Sequence, residues 1–303
     1  MNRRTVLEAM LATGATALLG ACGRRPSDGK LTESPAAMPQ GNVHAPSSPL
    51  MPVTFLAHGS PLLLDDKRWV AELHAWGGAL PRPKAILVLS AHWVQSPIRI
   101  GATTPVPLYY DFYGFPQRYF EVKYPSPGAP DLAQRVKELL GKGMSTTDSS
   151  RGLDHGAYIP LIAMYPEADI PVLQISIPTM DPGALVALGK ALAPLRREGV
   201  LIMGSGFLTH NMHAIDWDGT AGVPAWASEF DAWNKDAILR RDVDALVKYR
   251  EIAPGVETAL PTQEHYVPVL VALGASLGET EAATFPIEGF TYGSFTKRSV
   301  QFG

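Results

Sequence analysis

Ala85-Ile86-Leu87-Val88-Leu89-Ser90-Ala91-His92-Trp93 decides the fold. From Ala85 to Ser90 the run is almost continuously apolar and lacks the alternation of a half-exposed strand. Such runs belong to strands covered on both faces, as in sheets with helices packed above and below. His92 comes directly after the run, where the strand is expected to give way to a loop.

The same arrangement recurs along the chain. Residues 53–57 predict a first buried strand, and Ala57-His58-Gly59-Ser60-Pro61 the turn that follows it. Residues 170–177 and 200–204 predict two more strands. Beyond the second lies Gly204-Ser205-Gly206-Phe207-Leu208-Thr209-His210-Asn211. Helices are expected over 67–76, 131–140, 158–164, 182–197 and 226–241, with 242–249 continuing after a break. Gly152-Leu153-Asp154-His155-Gly156 is expected to be a loop. Thr262 is expected to cap a helix that carries His265 in its first turn and runs to about Leu273, just before Gly274. Residues 285–302 alternate enough for an antiparallel pair.

Strands interleaved with helices predict a single three-layer α/β domain over residues 51–303. Its central sheet is mixed and mostly parallel, with helices on both faces. Ligands of open α/β sheets bind beyond the carboxyl ends of the strands. His58, His92 and His210 all follow expected strands on that edge.

Composition narrows the function. The 303 residues carry 26 Lys+Arg against 29 Asp+Glu, a formal charge of −3, and 46% are hydrophobic. No basic stripe marks a nucleic-acid surface. No solenoid repeat is present. The single cysteine, Cys22, excludes a disulfide framework or a multi-cysteine zinc site within one chain. Arg3 and Arg4 precede a short apolar stretch that ends Leu18-Leu19-Gly20-Ala21-Cys22. That order reads as a secretory signal over residues 1–21, too short for an ordinary membrane span. Leu19-Gly20-Ala21-Cys22 resembles the bacterial lipobox, and Asn2-Arg3-Arg4-Thr5-Val6-Leu7 a twin-arginine signal. Cys22 is then the expected lipid anchor, and residues 22–50, rich in Pro, Ser, Gly and Ala, a flexible tether.

Imidazole is the commonest protein ligand for transition metals and a ready acid/base near neutrality. His58, His92, His210 and His265 are four of the eight histidines, and each sits in a short, distinctive setting. His44 in the tether, His74 on a helix and His213 read as ordinary polar residues. Glycine after His58 and His155 permits close backbone approach to a ligand. Glu264 beside His265 leaves two readings open. Glu264 completes a two-histidine, one-carboxylate triad, or it caps the helix start while His265 is the ligand. The aromatic loop Leu108-Tyr109-Tyr110-Asp111-Phe112-Tyr113-Gly114-Phe115-Pro116 is either a packed surface turn or a substrate wall. Ser60 lacks the G-x-S-x-G elbow of a hydrolase nucleophile. The chain has no P-loop, Rossmann fingerprint or H-E-x-x-H.

Seven ordered motifs carry a resemblance that covers the body from Pro52 to Gly303. They are His58-Gly59-Ser60-Pro61, Ser90-Ala91-His92-Trp93, Tyr110-Asp111-Phe112-Tyr113-Gly114-Phe115-Pro116, Tyr124-Pro125-Ser126-Pro127-Gly128, Asp154-His155-Gly156, Ser205-Gly206 through His210-Asn211, and Pro261-Thr262-Gln263-Glu264-His265-Tyr266. The chain resembles the class III extradiol ring-cleavage dioxygenases, in the branch similar to DOPA 4,5-dioxygenase. The resemblance implies that His58 and His92 bind one divalent metal. His265 aligns with the third ligand, a glutamate in the two-subunit protocatechuate enzymes. His210 aligns with the acid/base histidine, and also with a ligand in zinc-bound relatives. His155 aligns with a histidine that contacts substrate and oxygen. The implied reaction takes a catechol-type substrate such as DOPA and O2, with Fe(II) as the active metal. The rival readings are a zinc-bound protein with hydrolytic or no activity, and a surface protein that binds phenolic ligands. Export sharpens the choice, because Fe(II) is harder to keep reduced outside the cytosol, and an all-histidine site also suits zinc.

Overall fold

The apolar runs form the inner strands of an eight-stranded sheet. The computed structural model describes residues 50–278, 280 and 282–303. The expected signal and nearly all of the tether lie outside the described residues. The strands are β1 (Val53–Ala57), β2 (Ala85–Val94), β3 (Ile98–Ile100), β4 (Ser145–Thr147), β5 (Val172–Ile177), β6 (Val200–Gly206), β7 (Thr284–Ile287), β8 (Phe290–Thr291), β9 (Phe295–Thr296) and β10 (Ser299–Phe302). The helices are α1 (Lys67–Ala79), α2 (Pro130–Leu140), α3 (His155–Met164), α4 (Pro182–Leu192), α5 (Ala225–Leu239), α6 (Val243–Val247), α7 (Tyr249–Ile252), α8 (Val256–Ala259) and α9 (Pro268–Ser276).

The main sheet runs β4-β3-β5-β2-β6-β1-β10-β7, and β8 and β9 form a separate small ribbon. Pairs β1–β6, β2–β6, β2–β5 and β3–β4 are parallel. Pairs β1–β10, β7–β10 and β3–β5 are antiparallel. Successive side chains on a strand point to opposite faces, and this divides the core in two. Leu87 and Leu89 join Phe55 and Ile202 in one apolar cluster with α4 and α9. Ile86 and Val88 join Leu56 and Met203 in the other, with α1 and α3. This is the expected single α/β domain with a mixed, mostly parallel sheet and helices on both faces.

Several local expectations change. β2 continues through His92 to Val94, and its register with β5 shifts between Leu89 and Val94. His92 therefore sits on a disturbed strand end rather than after it. Residues 152–156 are not all loop, because Asp154 caps α3 and His155 is its first residue. The Asp154 side chain accepts from the Ala157 N–H at 3.2 Å. Thr262 caps no helix. Its hydroxyl donates to Glu264 Oε1 at 2.8 Å, and α9 begins only at Pro268. The reason is that the His265 carbonyl accepts from the Phe207 N–H at 2.8 Å, so it is committed to the end of β6 rather than to a helix ladder. The helix from Pro182 stops at Leu192. Pro194 has no N–H to continue the ladder, and the chain tightens into a 3-10 turn over Ala193–Glu198.

Candidate active site

Three neighbouring parallel strands set the site. β1 lies beside β6 with Ala57 opposite Gly206, and β2 lies beside β6 with Ser90 opposite Ser205. Their carboxyl ends therefore coincide. His58 leaves β1 there, His92 stands at the end of β2, and the segment after β6 carries His210. The His58 N–H is held by the Gly206 carbonyl at 3.3 Å and the His210 N–H by the Ala259 carbonyl at 2.8 Å. His265 arrives from the turn before α9, and His155 from the first turn of α3. All five line one cavity of about 740 Å³.

The rings are in mutual contact. His58 and His92 have centroids 4.9 Å apart, His92 and His155 4.0 Å, His58 and His265 5.4 Å, and His92 and His265 4.9 Å. His210 stacks flat on His265 at 3.4 Å. Close approach is enforced from below. A Cβ on Gly156 would lie 2.4 Å from Ser90 Oγ and 3.2 Å from His58 Nδ1. A Cβ on Gly206 would lie 2.0 Å from the His265 carbonyl. Neither position tolerates a side chain without displacing a site histidine or its support.

Hydrogen bonds orient the imidazoles. The Ser205 hydroxyl donates its one proton to the Gly156 carbonyl, so its oxygen accepts from His58 Nδ1 at 2.9 Å. His58 Nε2 is then a bare lone pair. It faces His92 Nε2 at 3.1 Å. His92 Nδ1 lies 3.4 Å from Asp111 Oδ2, an oxygen with no hydrogen bond of its own. If the His92 proton sits on Nδ1 toward Asp111, two nitrogen lone pairs converge, an arrangement that a bound cation would satisfy. A separation of 3.1 Å suits two nitrogens that each ligate at roughly 2.0–2.1 Å. The residues present therefore fit a metal. Asp111 Oδ1 accepts from His155 Nδ1 at 2.8 Å and from the His155 N–H at 3.0 Å. Glu264 Oε1 takes His265 Nδ1 at 3.1 Å. Carboxylates behind ligand imidazoles fix their tautomer and orientation.

Burial keeps the rings of His58, His92, His210 and His265 neutral. Burial first, then the neighbouring histidines, push His58 and His265 well below 6.5. Burial takes His92 down to about 3 and His210 to about 4. Burial raises the Asp111 carboxyl, but its hydrogen bonds to His155 outweigh that and hold it below 3.8. Neutral imidazoles are the form that binds metal or accepts a proton.

The expected residues thus come together, with two refinements. By ligand-atom spacing, His58, His92 and His155 lie within 4.8 Å of one another, and so do His210, Glu264 and His265. His155 is as central as His265. Of the neighbours Glu264 and His265, His265 lines the cavity and Glu264 stands behind it. The aromatic loop is divided. Phe112 to Pro116 line the cavity, while Tyr110 is anchored by its hydroxyl to the Val122 carbonyl at 2.7 Å. Ser60 has no histidine base. Its oxygen accepts the Leu62 N–H at 3.3 Å and lies 3.4 Å from the Tyr292 hydroxyl. His74 and His213 are exposed, and His44 lies outside the described residues. Asp111 and Ser205 stood inside quoted motifs, yet their work was missed. Their partners are 44 and 147 residues away, beyond any local pattern.

Known proteins are similar to this chain in sequence and fold. The family model of the catalytic LigB subunit of aromatic ring-opening dioxygenase matches residues 55–303. A 4,5-DOPA dioxygenase extradiol of Escherichia coli K12 is 41% identical over 263 residues, 85% of this chain and 96% of its own length. One from Beta vulgaris is 43% identical over 237 residues, 76% of this chain and 88% of its own. A crystal structure of an uncharacterized protein from Escherichia coli K12 superposes with a TM-score of 0.72 at 38% identity, covering 84% of this chain and all of that one.

Proposed function

The chain belongs to the family of the catalytic LigB subunit of aromatic ring-opening dioxygenases, and from that premise we propose that its five-histidine cavity cleaves a catechol ring beside the diol, with both atoms of O2 incorporated. The observation that carries this reading is the pair of buried Nε2 atoms of His58 and His92, 3.1 Å apart in a cavity that His210 also lines. DOPA, the substrate in the names of the relatives, is the first catechol to try.

In this reading His58, His92 and His265 hold the metal. His155, equally near by spacing, faces substrate and oxygen from its fixed seat on Asp111. Metal content separates the two: His265→Ala loses metal and His155→Ala keeps it. The metal, when bound, supplies the site where the diol and O2 meet and the path for electron density from ring to O2. The protein supplies the proton chemistry. The His210 imidazole lines the cavity, and burial keeps it neutral. It takes a proton from a catechol hydroxyl, holds it on the ring and returns it to the opening product. Phe112, Phe115 and Phe207 flank the ring and keep water away.

Fe(II) is the metal proposed for turnover. Anaerobic loading with Fe(II), then catechol, DOPA and protocatechuate with oxygen uptake recorded, tests it. Stoichiometric uptake with a yellow ring-opened product supports the reading. Tight zinc retention with no uptake across that panel sinks it and favours a zinc-bound protein, for which the all-imidazole donor set speaks. Saturable binding without turnover favours a phenolic-ligand binder.

The location of the enzyme is a separate part of the proposal. Arg3, Arg4 and Leu19-Gly20-Ala21-Cys22 support export and a lipid anchor at Cys22, facing the periplasm. Mass spectrometry of the mature N-terminus tests it, and an unprocessed Met1 or unmodified Cys22 rules the anchor out.

A further inference from the structure

We infer that Thr209 is a positioning residue for the reaction proposed above. Its buried hydroxyl ties the chain beside His210 to the β8–β9 hairpin and so sets where that imidazole takes and returns its proton. The inference rests on the ring-opening reading and adds a residue to its proton step.

Proton transfer needs heavy atoms about 2.6–3.2 Å apart, so an acid/base group must be held as well as present. The ring contacts of His210 fix only part of its place. It lies flat on His265, 3.4 Å away at 6°, and meets Phe295 edge-on at 5.1 Å. A flat stack sets the height of the ring. Its dispersion contacts are individually weak, so sliding along it meets little resistance. The lateral position is left to the chain on either side. On one side the His210 N–H donates to the Ala259 carbonyl at 2.8 Å, and Asn211 Nδ2 to the Thr258 carbonyl at 2.7 Å. Thr209 supplies the other side.

Thr209 is 1% exposed. Its hydroxyl donates to the Ser294 carbonyl at 2.7 Å and accepts from the Thr296 N–H at 2.7 Å. Both roles of the hydroxyl are used, which fixes direction as well as distance, and the branched Cβ leaves the side chain few rotamers. Two further bonds fasten the segment beyond His210 to the same hairpin. The Ser294 hydroxyl donates to the Ala214 carbonyl at 3.1 Å, and the Asp216 N–H to the Tyr292 carbonyl at 3.0 Å. The hairpin is itself anchored. Neighbouring residues of a strand point to opposite faces. On β9, Phe295 lines the cavity against His210, while the Thr296 hydroxyl donates to Asp231 at 2.7 Å. Arg298 holds Asp231 in turn. Through one strand, that paired cluster holds the segment that carries His210. Valine has the shape of threonine but would strip the Ser294 carbonyl and the Thr296 N–H of the hydroxyl that both use.

The test is Thr209→Val in the full-length protein, beside Thr209→Ser, which keeps the hydroxyl. In the Fe(II) form, kcat with DOPA per bound iron is expected to fall by about 10²-fold, the loss that a misplacement of about 1 Å can bring, while KM and iron content hold. A second readout needs no metal. In the metal-free full chain, the His210 Hε1 proton resonance is assigned by its loss in His210→Ala. It is expected upfield in the parent, through the ring current of His265, and nearer the free-imidazole position in Thr209→Val. Thr209→Ser restores both readouts. Should Thr209→Val fail to fold, Ser294→Ala removes only the bond to Ala214 and is expected to move both readouts less but in the same sense. A His210 resonance that stays in place overturns the inference. So does a fall in kcat that follows lost iron or a raised KM, because that marks a fold defect. If the resonance moves and Thr209→Ser restores it, yet no form opens DOPA, catechol or protocatechuate, the positioning role stands and the ring-opening reading fails.

Discussion

Two buried polar clusters of this domain have opposite characters. Around Asp231 everything is matched. Arg298 donates to its two oxygens at 2.8 and 2.5 Å, and the Thr296 hydroxyl donates at 2.7 Å. A further Arg298 nitrogen reaches Glu288 at 2.5 Å. Charge meets opposite charge and each strong donor has an acceptor, so the cluster is closed. Around His58 the bonds run outward only. Ser205, Asp111 and Glu264 take the Nδ1 atoms, while the other ring nitrogens turn toward one another and the cavity. Both clusters contain groups that are expensive to bury, but only the second leaves its binding capacity unused. Complete pairing marks a structural cluster, and convergent unspent lone pairs mark a site for a ligand.

Substitutions can break that contrast. The largest effect is expected from His58→Ala, which removes one of the two facing lone pairs. Metal content should fall to near zero and oxygen uptake to background, while the urea midpoint stays close to that of the metal-free parent. His210→Ala comes next. Metal analysis should find full occupancy, but kcat should fall by about 10²–10⁴, the usual worth of an acid/base group. Near-normal turnover would remove His210 from the chemistry.

Asp231→Ala tests the closed cluster from the other side. Removing the buried one of the two carboxylates that hold Arg298 should destabilise the fold by roughly 3–5 kcal/mol, read from chemical unfolding, with metal stoichiometry unchanged. Asp111→Asn should be milder and confined to the site. Metal affinity should weaken by about 10–100-fold, as for groups that orient ligands, and competition with a chelator measures it.

A graded effect is one of pH. In the metal-free protein, His92 and His210 are held at about 3 and about 4 against 6.5 for a free imidazole. Between those values the unfolded chain binds protons that the folded chain refuses. Stability is therefore complete above pH 6.5 and declines as pH falls, by roughly 1.4 kcal/mol per pH unit for each imidazole. Urea midpoints of metal-free protein between pH 7 and 4.5 check the slope. A flat profile would mean that the rings are not held neutral.

Much of the fold was legible because its central strands are buried on both faces. β1, β2, β5 and β6 announce themselves as apolar runs, and the histidines that follow them mark the rim. The three-residue strands β3 and β4 carry too little pattern to be seen, and Ile98-Arg99-Ile100 gains its meaning only by pairing between β4 and β5. α3 and α9 are buried at nearly every position, so they show no amphipathic stripe from which a start could be read. That is why His155 was expected in a loop and His265 within a helix.

Legible in the chain alone were the α/β layering and four candidate site histidines, His58, His92, His210 and His265, while His155 entered only through the family resemblance. Those follow from local hydrophobicity and residue chemistry, which are written in the order of the chain. The tertiary structure added which ring nitrogens are engaged by neighbours and which face the cavity. Which ring nitrogen is bare depends on Ser205, Asp111 and Glu264. Two of these three meet their histidines across 44 and 147 residues, and such contacts exist only after the sheet has closed.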